Sequence, residues 1–209
     1  MPSNYKSVNI NINQYADYFL KPKKSFETIS NIAYADMARH TLHIEASGIV
    51  KEEKRKEVTV LLKEKILSFQ KGSDFEKWHK EVCDKIVSVY SCFGGLFSYG
   101  QAQKWLNMLI KYIYVYDIKE NVGENTEVAY SEFFDKLSGM DVLHAPIDSK
   151  VIDIAKEKMN LNRPKTPWSK MNYVQYIQYQ RDLKTKLMQE NFSNPDEKIA
   201  FYWEMINWT

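Results

Sequence analysis

Apolar positions are densest across residues 99–118, which read YGQAQKWLNMLIKYIYVYDI. Ala102, Trp105, Leu106, Leu109, Tyr112, Ile113 and Tyr116 follow one another at helical spacing and make one continuous face. Met108, Ile110, Tyr114 and Val115 make the opposite side apolar as well. The pattern therefore predicts a helix buried on most sides, with the other helices packed around it. Lys104 and Lys111 fall within this stretch, and a buried ammonium without a partner is costly. Each either carries its charge out to water on its aliphatic stem or serves in chemistry.

The remaining pattern is helical throughout. Residues 1–24 read as an N-terminal arm with a short helix at 15–20, and residues 25–209 as a single all-α domain of about eight helices. Ser25 is placed to cap a helix running to about residue 46, with Phe26, Ile29, Ala33, Met37, His40 and Ile44 on one face. Residues 51–70 follow as a helix solvated in its first half and packed in its second, stopped by Gly72. Ser73 with Glu76 three residues on is a capping-box signature. It opens the clearest amphipathic helix, with Phe75, Trp78, Val82, Ile86, Val89 and Phe93 at steps of three and four. Gly94 and Gly95 then bend the chain into the central helix. After 118 the segment KENVGENTE reads as an acidic exposed loop, 131–137 as a short helix, and Asp148 as the start of another. Pro164 and Pro167 mark a loop, a Tyr-rich helix spans 172–190, and Asn194, Pro195 and Glu197 open a last helix.

Composition narrows the classes. The chain has 209 residues, 44% of them hydrophobic and 14% aromatic, enough for one sizeable core. Its 29 basic and 27 acidic residues leave a formal charge of +2, so any grip on nucleic acid must come from a local patch. No charge-free segment is long enough to span a bilayer and the N-terminus lacks a secretory pattern, so no membrane partner and a cytoplasmic location are expected. Cys83 and Cys92 are both placed in one predicted helix, about 13 Å apart along its axis. They cannot pair there and read as reduced core residues.

Several groupings have an ordinary reading. His40 and His43 share a helical turn near Glu45 but find no matching partners, so no metal site and no cofactor are expected. His79 and Cys83 lie four apart without a third orienting group and read as a boundary histidine and a core cysteine. The KEEKRKE run at 51–57 reads as a solvated face. Lys21, Lys23 and Lys24, like Arg163 and Lys165, are loop clusters that suit phosphates but more commonly serve solubility. Tyr173, Tyr176 and Tyr179 read as packing residues.

A sharper combination joins Gly94, Gly95 and Gly100 to AQKWLNM with Lys104, and then to HAPIDSKVIDIAKEKMNL with Asp148. Over residues 93–161 this resembles the helix-hairpin-helix DNA glycosylases, in which a glycine-rich hairpin holds a DNA phosphate, a lysine opens the next helix and a Pro-Val-Asp-like tripeptide begins a later one. Pro146, Ile147 and Asp148 stand in the place of that tripeptide. The chain departs from the family in lacking the Leu-Pro-Gly-Val-Gly hairpin, in the distance of Gly100 from Lys104, and in a longer interval before Asp148 that makes the acidic loop an insertion. The resemblance implies DNA as partner, Lys104 as the nucleophile on the sugar C1′ and Asp148 as the carboxylate that stabilises the developing oxocarbenium. It also implies that Gly94, Gly95 and Gly100 contact nucleic acid, and the loop cluster of Arg163 and Lys165, which suits phosphates, is placed with them as a candidate nucleic-acid contact. The ordinary alternative makes Asp148 a helix cap and Lys104 a surface-seeking side chain. The alternative function is a non-catalytic helical interaction or regulatory module, a homodimer through the C-terminal helix. There Phe201, Tyr202, Trp203, Met205, Ile206 and Trp208 exceed what one buried face would hide.

Overall fold

The computed structural model describes residues 25–39, 41, 47–120 and 131–208. Among them the chain is all-α, with eight α-helices and no strand: α1 (Phe26–Ala38), α2 (Gly48–Leu67), α3 (Phe75–Val89), α4 (Tyr99–Glu120), α5 (Ser131–Asp135), α6 (Ser149–Met159), α7 (Tyr173–Gln189) and α8 (Ala200–Asn207). Short 3₁₀ turns at Ser91–Phe93, Met140–Val142, Trp168–Lys170 and Pro195–Lys198 link them. The expected arm at 1–24, His40, His43 and residues 121–130 lie outside the described residues.

Helix α4 is the interior axis, and every residue from Tyr99 to Val115 is buried. That follows from an apolar pattern covering its whole circumference. α1 packs along it, and α3, α7 and the Trp168–Lys170 turn cover other sides. Trp105, fully buried, donates its indole N–H to the Ser30 carbonyl of α1 at 3.1 Å, and Tyr34 meets the same indole edge-on at 4.8 Å. A buried Trp needs such a partner for its one donor.

Side-chain oxygens cap the helices where the termini leave backbone N–H groups unmatched. Ser25 caps α1, Ser47 caps α2 and Asp148 caps α6. Asn172 and Gln175 form a reciprocal capping box on α7. The cap of α3 is Asp74, accepting from the Lys77 N–H, and not Ser73. The adjacent carboxylate is as good an acceptor and also complements the helix dipole.

Other boundaries move as well. α1 ends at Ala38, short of the expected 46, and α4 runs on to Glu120, so the acidic stretch begins as helix. α3 stops at Val89. Cys92 therefore sits in the following 3₁₀ turn, exposed rather than in the core, while Cys83 is buried, and both are free thiols. The aromatic surface expected at the C-terminus is interior: Phe201, Tyr202, Trp203 and Met205 are all buried, packed with α7 and the turns before α6 and α8. Tyr114 of α4 receives Phe201 edge-on at 5.3 Å and lies 5.7 Å from Tyr202. With those rings enclosed, a dimer through that face loses its basis. No described helix is long and apolar enough to cross a membrane.

Candidate functional site

Four of the buried polar residues of α4 lie in one row. Gln103, Lys104, Asn107 and Lys111 are separated by steps of one, three and four, so they share a stripe of the helix, and all four are buried. Each side chain in the row finds a partner on a different part of the chain.

Neither lysine reaches for water. Lys111 Nζ lies 2.8 Å and 3.0 Å from the two carboxylate oxygens of Glu204 on α8, and both side chains are 0% exposed. Lys104 Nζ lies 2.5 Å from Asp148 Oδ2, with 3% of the lysine and 16% of the aspartate side chain exposed. The other oxygen of Asp148 accepts the Val151 N–H at 2.8 Å, so this carboxylate caps α6 and pairs with Lys104 at once. Burial alone would push its carboxyl up. The charge and hydrogen bond of Lys104, the Val151 N–H and the charge of Lys111 outweigh that and leave it below its ordinary value.

The other expected contact residues are placed apart from this pair. Gly94 and Gly95 are exposed, with φ of 66° and 77°, in the left-handed region that glycine enters without strain. Gly100 is the second residue of α4, and a Cβ there would sit 1.9 Å from the Trp168 carbonyl oxygen. Its role is close packing of α4 on the 3₁₀ turn, and it presents nothing to a ligand. Arg163 and Lys165 are exposed on the loop after α6, and Arg163 pairs with Asp153. No hydrogen bond or ion pair joins either of them to the glycine bend.

A second set of polar groups was not expected from the sequence to act together. His79, expected at the boundary, is buried with Cys83 and stacks on Tyr176 at 5.5 Å. It belongs to a hydrogen-bonded chain whose donor and acceptor roles can be worked out from one fixed point. The Ile147 N–H can only donate, and it meets Gln103 Oε1 at 3.3 Å. Asn107 Nδ2 therefore donates to that same oxygen at 3.1 Å, and also to the Tyr176 hydroxyl at 2.9 Å. Asn107 Oδ1 is left to accept from His79 Nε2 at 3.0 Å. Gln180 Nε2, fixed as a donor by the Ala145 carbonyl at 2.6 Å, also gives to the Tyr176 hydroxyl at 3.1 Å. With both lone pairs of that hydroxyl taken, its proton goes to His144 Nδ1 at 2.8 Å. Both imidazoles are neutral: burial, opposed only by the Asn107 bond, takes His79 down to about 4. Burial first, then the nearness of His79 and the charges of Lys184 and Arg181, holds His144 well below its ordinary value. A neutral His144 that accepts at Nδ1 carries its proton on Nε2.

This chain ends at a cleft of about 290 Å³ between the start of α3, residues 138–144 and α7, lined among others by Phe75, His144, Ile177 and Gln180. Neither Lys104 nor Asp148 lines it. At its rim Arg181 pairs with Glu76 at 2.9 Å and Lys184 with Asp141 at 3.6 Å. Among the described residues no group of three or more His, Cys, Asp or Glu side chains is arranged to hold a metal ion. No known protein family, curated protein or solved structure matches the chain.

The signal for the missed residues lay in α4. Gln103 and Asn107 are as out of place in an apolar helix as the two lysines, and all four fall on one stripe. His144 and Gln180 had no such flag, because their neighbours come from elements far along the chain.

Proposed function

We propose that the chain is a nucleic-acid-handling protein of the DNA glycosylase/lyase type, with Lys104 as nucleophile and Asp148 as its carboxylate partner. The observation that carries this reading is the pairing of Lys104 with Asp148 across 44 residues of sequence, with 3% of the lysine and 16% of the aspartate side chain exposed. A carboxylate held below its ordinary value stays ionised, which suits it to stabilise positive charge developing on a deoxyribose ring. At the exposed bend the Gly94 N–H is held by the Ser91 carbonyl, and the Gly95 N–H is the backbone donor at which a phosphate would bind.

The chemistry balances with these two side chains. The bond from C1′ to the base breaks with its electron pair leaving on the base, which takes a proton given up by the Lys104 ammonium. The freed Nζ lone pair forms a bond to C1′. Cleavage of C1′–O4′, with transfer of a second nitrogen proton to O4′, then leaves an iminium between Nζ and C1′. The ion pair opens as the sugar enters, so that Nζ can meet C1′ of the flipped nucleotide.

The test is incubation with duplexes carrying abasic sites or damaged bases in the presence of borohydride, which reduces the iminium to a stable secondary amine. The expected result is a covalent adduct that is lost in Lys104→Arg, a change that keeps a cation beside Asp148 but removes the nucleophile. No adduct on any such duplex, with Lys104→Arg melting as the parent does, leaves the pair a structural cap and removes the proposal.

A further inference from the structure

We propose that the cleft ending the His79–Asn107–Tyr176–His144 chain is a binding site for an uncharged planar cyclic amide, held along the edge that carries its N–H and C=O side by side. This goes beyond the Lys104 reading and does not depend on it, since neither residue of that pair lines the cleft.

Three observations define the ligand. First, the cleft floor presents one donor and one acceptor. His144 is anchored through Nδ1 to the Tyr176 hydroxyl, which sets its protonated Nε2 as a donor without a protein partner. Gln180 is 5% exposed and spends its Nε2 on Ala145 and Tyr176, which leaves Oε1 as an acceptor without a protein partner. Both side chains line the cleft. Both are tied to the same hydroxyl oxygen and both line the same cleft, so one small molecule in it is offered a donor and an acceptor. A ligand that complements both atoms gains two hydrogen bonds.

Second, the complement of a donor beside an acceptor is a C=O beside an N–H. An open-chain amide is trans and points the two in opposite directions. A lactam ring holds them cis, on one edge, as uracil and hypoxanthine do. Phe75, which meets His144 edge-on at 5.4 Å, and Ile177 supply apolar walls for a flat ring.

Third, the charges at the mouth are already spent. Arg181 and Lys184 each face a carboxylate, Glu76 and Asp141, and the remaining lining carboxylate, Asp74, caps α3. Both lining cations already face carboxylates, which favours a neutral ligand over a phosphate or carboxylate.

The experiment is titration of the full chain with uracil and hypoxanthine by ligand-observed NMR, against 1,3-dimethyluracil, which keeps the ring and the carbonyls but has no N–H, and N-methylacetamide, an open-chain amide. The expected result is binding of the cyclic amides, weakened about tenfold or more in 1,3-dimethyluracil by loss of one hydrogen bond, and none of N-methylacetamide. Gln180→Met and His144→Phe each weaken uracil by a similar factor, with melting curves run beside them. The ligand series on the unaltered protein decides the matter even if either variant unfolds. Equal binding of uracil and 1,3-dimethyluracil, or no binding of either cyclic amide up to its solubility, overturns the proposal. Its failure is separable from that of the Lys104 reading, which is read by a borohydride adduct and not by free base.

Discussion

Replacing Lys111 by Met tests how the interior tolerates its charges. Nζ lies 2.8 Å and 3.0 Å from the Glu204 oxygens and neither side chain has any exposure. At an effective dielectric constant of about 20, two unit charges at the shorter distance attract by about 6 kcal/mol. Removing each ion from water costs several kcal/mol, so the pair is close to break-even as a whole. The single substitution keeps the desolvation of Glu204 and removes its compensation. Lys111→Met is therefore expected to cost about 3–5 kcal/mol, and Glu204→Leu a similar amount for the same reason. The double variant removes both charges and leaves apolar side chains of similar volume, so its stability should return to near that of the parent. Urea unfolding of the four proteins followed by far-ultraviolet circular dichroism gives the cycle directly, with a coupling energy of several kcal/mol expected. Single costs below about 1 kcal/mol, or a double variant whose cost is the sum of the singles, would refute the reasoning.

Acid should destabilise the protein before its carboxylates titrate. His79 and His144 stay neutral when folded but take up protons in the unfolded chain below its ordinary histidine value of 6.5, so the unfolded state binds more protons and stability falls as the pH drops. For His79, lowered to about 4, the loss is complete near that pH and amounts to about 3 kcal/mol. Asp148, held below its ordinary value, adds a further loss at still lower pH as it protonates. Urea midpoints that stay flat between about pH 7 and about pH 4.5 would contradict this. Gly100→Ala places a methyl 1.9 Å from the Trp168 oxygen, a backbone atom that cannot swing aside, and should cost about 3 kcal/mol or more. A melting curve matching the parent would show that the 168–170 turn shifts freely.

How much of this was legible depends on the range of the interaction. The central helix was readable from its own residues, because an apolar pattern on all sides has one explanation, and the caps at Ser25 and Asp148 followed from local chemistry. The end of α1 was misplaced because an apolar period carried on past Ala38, and period alone does not reveal where the backbone leaves the helix. At the C-terminus the surplus of aromatic residues was read as surface. A short helix enclosed on most sides accepts rings all round, as the central helix does, and only its neighbours in space distinguish the two cases. The charged side chains were the hardest. The presence of Lys111 in α4 called for a carboxylate, but its partner lies 93 residues away among many other acidic groups. The cleft was not visible at all, since Phe75, His144 and Gln180 come together only when α3, the 138–144 segment and α7 have packed.

The polar row on α4 also determines which mistakes the interior can make. A helix clad entirely in aliphatic and aromatic side chains could turn about its axis, or slip by a residue, and offer its neighbours much the same greasy surface. Turning α4 by one position, about 100°, would carry Gln103 from the Ile147 peptide, Asn107 from His79, and both ammonium groups from Asp148 and Glu204 into contacts with no hydrogen bonds to give. The misaligned arrangement forfeits all of these together, so it lies well above the native one. The row works like a key in a shaft, holding a single rotational setting in a core whose many tyrosines and phenylalanines could otherwise trade places.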